Sequence, residues 1–205
     1  MFDPITHWQN VYRTKRPEAV SWYRPHLEAS FDLIRSAVSD LNARIIDVGA
    51  GESTLVDDLL QVGYRNLVAL DISSHAFEVS KARLGRDANR INWLVGDVRE
   101  IDLTQHPMDV WHDRAVFHFL TRPEDREAYI RQVERTVRPG GHIIVATFGP
   151  EGPAQCSGLD VVRYDTHALR GEFGRSFQLI DHRVELHRTP NGTTQQFTYC
   201  LCRRL

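Results

Sequence analysis

Four aspartates recur where apolar runs end, and they are the first chemistry visible in this 205-residue chain. Asp47 falls within "IIDV", Asp71 closes "NLVALD", Asp97 closes "INWLVGD", and Asp113 follows "MDVWH". A carboxylate beside a buried run costs free energy unless something bonds it. Four in series therefore point to a ligand rather than to core building. Carboxylates accept hydrogen bonds from hydroxyls and amines. Gly49 and Gly51 follow Asp47, and with Ala50 and Ser53 they form a loop whose main chain a ligand can approach closely. His112 and His118 stand on either side of the Asp113 turn. Imidazole titrates near neutral pH and can accept a proton from a reacting group, so these two are the candidate catalytic residues.

Such residues act together only if a scaffold gathers the ends of the runs. Residues 44–48, 66–73, 91–98, part of 108–120, and 142–148 are apolar at nearly every position, as strands covered on both faces are. Helical spacing separates them. It occupies 26–41, a segment opening at Glu52 or Ser53 and closing on Gly63, the segment 74–85 closing on Gly85, and 126–141 ended by Pro139, Gly140 and Gly141. Strands that alternate with helices imply a parallel sheet with right-handed crossovers. The tail 177–204 alternates instead, around Asn191-Gly192, which predicts an antiparallel pair. Ligands of open parallel sheets bind beyond the carboxyl ends of the strands, at the point where strand order reverses. That is where the aspartates stand.

Composition narrows the functions. Acids number 27 against 25 bases, a net charge of −2, without the basic excess of a nucleic-acid binder. No run approaches the roughly 20 apolar residues of a membrane helix. The N-terminus carries no secretory pattern, so the expected location is cytoplasmic. Cys156, Cys200 and Cys202 lack metal-type spacing. His182 and His187 are offset by an odd number and belong to opposite strand faces. No metal is expected. A dinucleotide fingerprint wants a third glycine where Thr54 stands, and Asp47 would face a pyrophosphate. A ligand with an ammonium group and no phosphate fits better.

The succession "IIDVGAGES", "VALDIS", "LVGDV" and "VRPGG" resembles the motifs of class I S-adenosylmethionine-dependent methyltransferases over about residues 40–150. The resemblance implies a Rossmann-like α/β fold: a seven-stranded, mostly parallel sheet with an antiparallel last strand and helices on both faces. It implies one domain over 1–205, with a covering segment at 1–40, a cofactor-binding core at 41–150, and an acceptor loop and hairpin at 151–205. S-adenosyl-L-methionine is then the cofactor and S-adenosyl-L-homocysteine the product. Asp47, Gly49, Ala50, Gly51 and Ser53 lie against the methionine part. Asp71 accepts from the ribose hydroxyls, Ile72 packs on adenine, Asp97 reaches the adenine amine beside Val98, and His112, Asp113 and Arg114 line the sulfonium end. "HWQNVY" and "VSWY" resemble a lead-in segment that closes over the cofactor, which places Trp8, Tyr12 and Trp22 at the site.

The acceptor is less constrained. "WHDRAVFHFL" stands where DNA amino-methyltransferases carry N-P-P-Y. Its D-x-[GA]-x-x-[HD] form resembles a subgroup that includes protein lysine methyltransferases and bacterial small-molecule enzymes. A small molecule accepting on nitrogen, oxygen or sulfur is the first expectation, with Phe117, His118, Cys156, Arg163 and Tyr164 as its binding residues. A protein lysine is the alternative, and a cofactor-binding regulator without turnover is a third reading. No nucleic-acid or membrane partner is expected, and the chain is expected to act as a monomer or homodimer.

Overall fold

β1 (Arg44–Val48) is buried at every residue but its first, because it lies inside a seven-stranded sheet with neighbours on both sides. The computed structural model describes residues 2–105 and 107–205. β2 (Asn66–Asp71) and β3 (Ile91–Val95) extend the sheet from one side of β1, and β4 (Met108–Arg114) and β5 (Val137–Phe148) from the other, all parallel. The chain then runs through a small antiparallel flap, β6 (Gln155–Cys156) with β7 (Leu159–Asp160). β8 (Phe177–Arg188) and β9 (Thr194–Arg204) form the closing hairpin, in which β9 lies antiparallel between β5 and β8. The order is β3-β2-β1-β4-β5-β9-β8, in a seven-stranded, mostly parallel sheet of the kind the resemblance implied. Strand order reverses between β1 and β4.

Two apolar layers cover the sheet. On one face α2 (Glu28–Ala37), α3 (Leu55–Gln61) and α4 (Ser74–Leu84) pack Leu33, Ile34, Leu59 and Phe77 against Ile45, Leu67 and Ile144. On the other, α5 (Pro123–Thr136) and α6 (Thr166–Glu172) set Tyr129, Val133 and Leu169 against Ile46, Trp111 and Val145. Each such fully buried side chain contributes on the order of 1.5–3 kcal/mol. α1 (Pro4–Thr14) is capped by Asp3, whose carboxylate accepts from the Ile5 and Thr6 amides, the usual device for satisfying first-turn donors. No helix among the described residues is long and apolar enough to cross a membrane.

Three local expectations change. The helix expected to run to Gly141 ends at Thr136, and Val137 already pairs with Met108. The register then jumps so that Val110 faces His142, and Pro139, Gly140 and Gly141 form the bulge between. Proline donates no ladder hydrogen bond and Gly140 has φ +77°, so a bulge accommodates both. Second, the acceptor loop expected from residue 151 contains the flap, turned by Ser157 (φ +50°) and Gly158 (φ +77°). Third, the helix after β1 starts at Leu55, its first amide held by the Ser53 hydroxyl at 3.1 Å. The Asn191-Gly192 hairpin forms as expected, with Gly192 at φ +81°.

The turn that follows β4 is held from below. Asp113 is fully buried and accepts from the Tyr129 hydroxyl at 2.5 Å, the Val116 amide at 2.8 Å and the Phe117 amide at 3.1 Å. Burial pushes its carboxyl up to about 6 against these donors. Asp113→Ala leaves three buried donors without an acceptor, so urea denaturation is expected to show a loss of about 3 kcal/mol. A loss below about 1 kcal/mol would contradict this account of the turn.

Candidate functional site

Strand parity decides which side chains meet at the reversal of strand order. Successive residues of a strand point to opposite faces. Asp47 of β1 is in register with His112 of β4, so both point to the α2–α3 face, and so does Arg114. Asp113 points the other way, toward Tyr129. His112 Nδ1 lies 2.7 Å from Asp47 Oδ1, and both side chains are almost wholly buried. The remaining atoms of the pair, Asp47 Oδ2 and His112 Nε2, are buried with no hydrogen-bond partner, as are both Glu52 oxygens and Arg114 Nη2. A recess of about 50 Å³ lies among them, lined by Asp47, Ala50, Gly51, Glu52, Ser53 and His112 together with Tyr23 and Arg24.

Gly49, Tyr12, Trp22 and Arg114 line both this recess and a cavity of about 700 Å³, within the usual size range of small-molecule sites. Asp71, Ile72, Asp97 and Val98 form one part of the cavity, Trp8 and Phe119 another, and Cys156, Leu159 and Asp160 bring the flap to it. Trp8 packs edge-on against Trp22 and Phe119, with ring centroids 6.0 and 5.2 Å apart.

Asp71 organises the glycine loop. It accepts from the Gly51 amide at 2.9 Å and the Ser73 amide at 2.8 Å. An ionised carboxylate offers about four acceptor positions, which leaves capacity for two further donors on the cavity side. Burial pushes Asp71 up to about 7 against those amides and that of Ile72. Burial likewise carries Glu52 to about 7, with Arg83 opposing. The glycines are needed where they stand. Gly49 and Gly51 have φ +67° and +50°, and a Cβ on Gly51 would lie 2.5 Å from the Tyr12 hydroxyl oxygen. Asp97 is occupied differently. Burial alone would raise its pKa, but Arg99 bonds it through Nε and Nη2 and holds it below the ordinary carboxylate value. Arg99 in turn reaches Asp125 at 2.5 Å.

These groups fit an adenosyl amino acid. The carboxylate at the end of β2 has room for two hydroxyl donors, Ile72 and Val98 offer apolar surface to a flat base, and the recess holds orphaned donors and acceptors, as a zwitterionic amino-acid end requires.

Of the residues expected at the cofactor, Asp113 alone lies outside both spaces, because strand parity turns it to the opposite face. Four of the five residues expected at the acceptor are also elsewhere. Phe117 is in the core against Tyr129, and Tyr164 is buried beside it. Arg163 lies on the surface, donating to the Pro150 and Gly152 carbonyls. His118 is fully buried, accepts from the Phe148 amide at Nδ1, and is pushed down to about 3 by burial and by Arg114. It is a neutral imidazole outside the cavity. Cys156 does line it. Glu52, Arg99, Phe119, Leu159 and Asp160 belong to the site without having been expected there. The Ser157-Gly158 turn signal would have found the flap residues.

A family model described as "Methyltransferase domain" matches residues 46–145. Among curated proteins, the mouse eEF1A lysine and N-terminal methyltransferase is 23% identical over 143 residues, covering 70% of this chain and 20% of the relative. The zebrafish EEF1A lysine methyltransferase 2 is 30% identical over 112 residues, 52% of this chain and 48% of the relative. The chain thus spans about one fifth of the length of the first of these and about half of the second. Among solved structures, an S-adenosylmethionine-dependent methyltransferase from Anabaena variabilis superposes with a TM-score of 0.78 at 14% identity, covering 100% of this chain and 96% of its own. The N-methyltransferase NodS from Bradyrhizobium japonicum, in complex with S-adenosyl-L-homocysteine, gives 0.75 at 14% identity, with 98% and 99% covered.

Asp71 gives the site a pH dependence. Its folded pKa of about 7 exceeds the unfolded value of about 3.9, so the ligand-free fold loses stability as pH rises from about 4 to about 7. Hydroxyl donors bond the ionised form more strongly. Calorimetric affinity for S-adenosylhomocysteine should therefore rise from pH 6 to 8 and level off above, and Asp71→Asn should flatten the profile. An affinity that falls over this range would refute the assignment.

Proposed function

We propose that the chain, whose residues 46–145 match the methyltransferase-domain family model, is a class I S-adenosylmethionine-dependent methyltransferase that transfers a methyl group to a nucleophilic nitrogen, oxygen or sulfur of a small-molecule acceptor. The observation that carries this reading is continuity. One cavity joins the strand-end residues Asp71 and Asp97 to the aromatic wall of Trp8, Trp22 and Phe119 and to the flap.

The bound cofactor supplies an activated methyl group. The protein has to hold the acceptor in line and exclude water, and positioning of this kind is worth several kcal/mol. Asp71 and the glycine loop hold the ribose end. Asp47, His112, Glu52 and Arg114 hold the amino-acid end, with His112 oriented by Asp47. The aromatic wall and Cys156, Leu159 and Asp160 shape the acceptor side. His118 lies outside this cavity, and His112 is paired with Asp47 in the adjoining recess. In this reading neither acts as the base, and the acceptor arrives as a free nucleophile or loses its proton to solvent.

A second reading, a protein lysine acceptor, draws on the lysine methyltransferase activity named for the curated relatives, which match about 70% of this chain. One incubation with methyl-labelled cofactor and cell lysate separates the two. Label in the small-molecule fraction is expected, and label confined to protein would replace the first reading by the second. Asp71→Ala is expected to weaken S-adenosylhomocysteine binding by about 2–3 kcal/mol, and unchanged affinity in calorimetry would remove Asp71 from the cofactor site.

A further inference from the structure

The cavity is covered by the N-terminal segment, and the side chains that tie this cover down come from the far edge of the sheet. Glu185 of β8 lies outside both spaces, with its side chain only 14% exposed. Its Oε1 accepts from Arg24 Nη1 at 2.7 Å, and its Oε2 accepts from the Tyr199 hydroxyl at 2.9 Å. That same hydroxyl oxygen accepts from Arg114 Nε at 2.9 Å, while Arg114 Nη2 stands 3.8 Å from Glu185 Oε2. Arg114 Nη1 donates to the Trp22 carbonyl at 3.2 Å, and the guanidinium carbon sits 4.2 Å from the Phe197 ring centroid. Two residues further along β8, on the same strand face, His187 Nε2 lies 2.7 Å from the Ser21 carbonyl oxygen.

Three parts of the chain, 21–24, β4 and the closing hairpin, thus converge on one carboxylate. We propose that Glu185 is a positioning residue: it clasps the covering segment over the cavity through Arg24 and, through Tyr199, fixes the direction of Arg114. The proposal rests on the methyltransferase reading for what the clasp serves. Arg114 has two nitrogens committed to this network, while its buried Nη2 has no hydrogen-bond partner in a residue that lines both recess and cavity. A guanidinium is a planar fork, so fixing Nε and Nη1 fixes where Nη2 points. Partly buried, charge-assisted bonds of this kind are stronger than exposed ion pairs. The Arg24–Glu28 pair on the same segment is the exposed contrast, with Glu28 61% accessible.

Glu185→Gln, Arg24→Gln and the double variant test this in the full chain by calorimetry with S-adenosylhomocysteine, amide hydrogen exchange of residues 15–27 and thermal melting. In Glu185→Gln the dissociation constant is expected to rise about tenfold and exchange of 15–27 to quicken about tenfold, with the melting temperature within a few degrees of the parent. Arg24→Gln should give a smaller rise in the dissociation constant, because it frees the segment but leaves Arg114 on Tyr199. The double variant should bind no more weakly than Glu185→Gln alone, since Arg24 acts through Glu185. Parental affinity and exchange in Glu185→Gln would overturn the proposal, as would losses that simply add in the double variant. Should Glu185→Gln fail to fold, Arg24→Gln decides by itself, and unchanged exchange there sinks the clasp. A parent chain that does not bind S-adenosylhomocysteine would sink the methyltransferase reading, while exchange in the ligand-free variants would still judge the clasp.

Discussion

Everything at the site follows from β1 and β4 lying side by side in parallel register, Asp47 against His112, where the order of strands reverses. At that seam the loops after the two strands diverge and leave an opening. Parity then assigns each neighbouring side chain. Asp47, His112 and Arg114 share one face, while Val48, Trp111 and Asp113 share the other. A slip of one residue would exchange the two sets. It would bring Trp111 and Asp113 to the recess and bury Arg114 beneath α5, so the large hydrophobic penalty for slipping also protects the chemistry.

The buried carboxylates divide their work by what bonds them. Asp113 and Asp97 are already committed, the first to Tyr129 and two amides, the second to Arg99. They give the turn after β4 and the loop after β3 their shapes. Asp71 and Asp47 keep acceptor capacity, and both sit beside positive-φ glycines whose missing Cβ lets Val116 and Tyr12 pack against the main chain. Asp71 is raised because its burial in low dielectric outweighs the backbone amides that bond it.

Local pattern made much of this legible in the sequence. Continuous apolar runs gave β1 through β5, Gly63 and Gly85 closed their helices, and Asn191-Gly192 announced the hairpin. The motifs from Asp47 to Val98 located the residues that line the cavity. Two kinds of fact stayed out of reach. One was direction at strand ends, where a single step separates Arg114 in the cavity wall from Asp113 in the core. Phe117 and His118 missed the cavity for the same reason, since a one-turn helix after β4 turns them inward and leaves Phe119 at the wall. The other was contact across long separations. Nothing near Glu185 in the chain announces Arg24, 161 residues away, because the hairpin meets the N-terminal segment only once the sheet is assembled.

The central claim is that the strand-end carboxylates and the glycine loop form the cradle of an adenosyl amino acid. Its most direct test is a crystal structure of the chain grown with S-adenosylhomocysteine. The account predicts the ribose hydroxyls within hydrogen-bonding distance of Asp71, the base between Ile72 and Val98, and the amino-acid end in the recess of Asp47 and Arg114. A ligand bound elsewhere, or one in this cavity with its ribose turned away from Asp71, would contradict it.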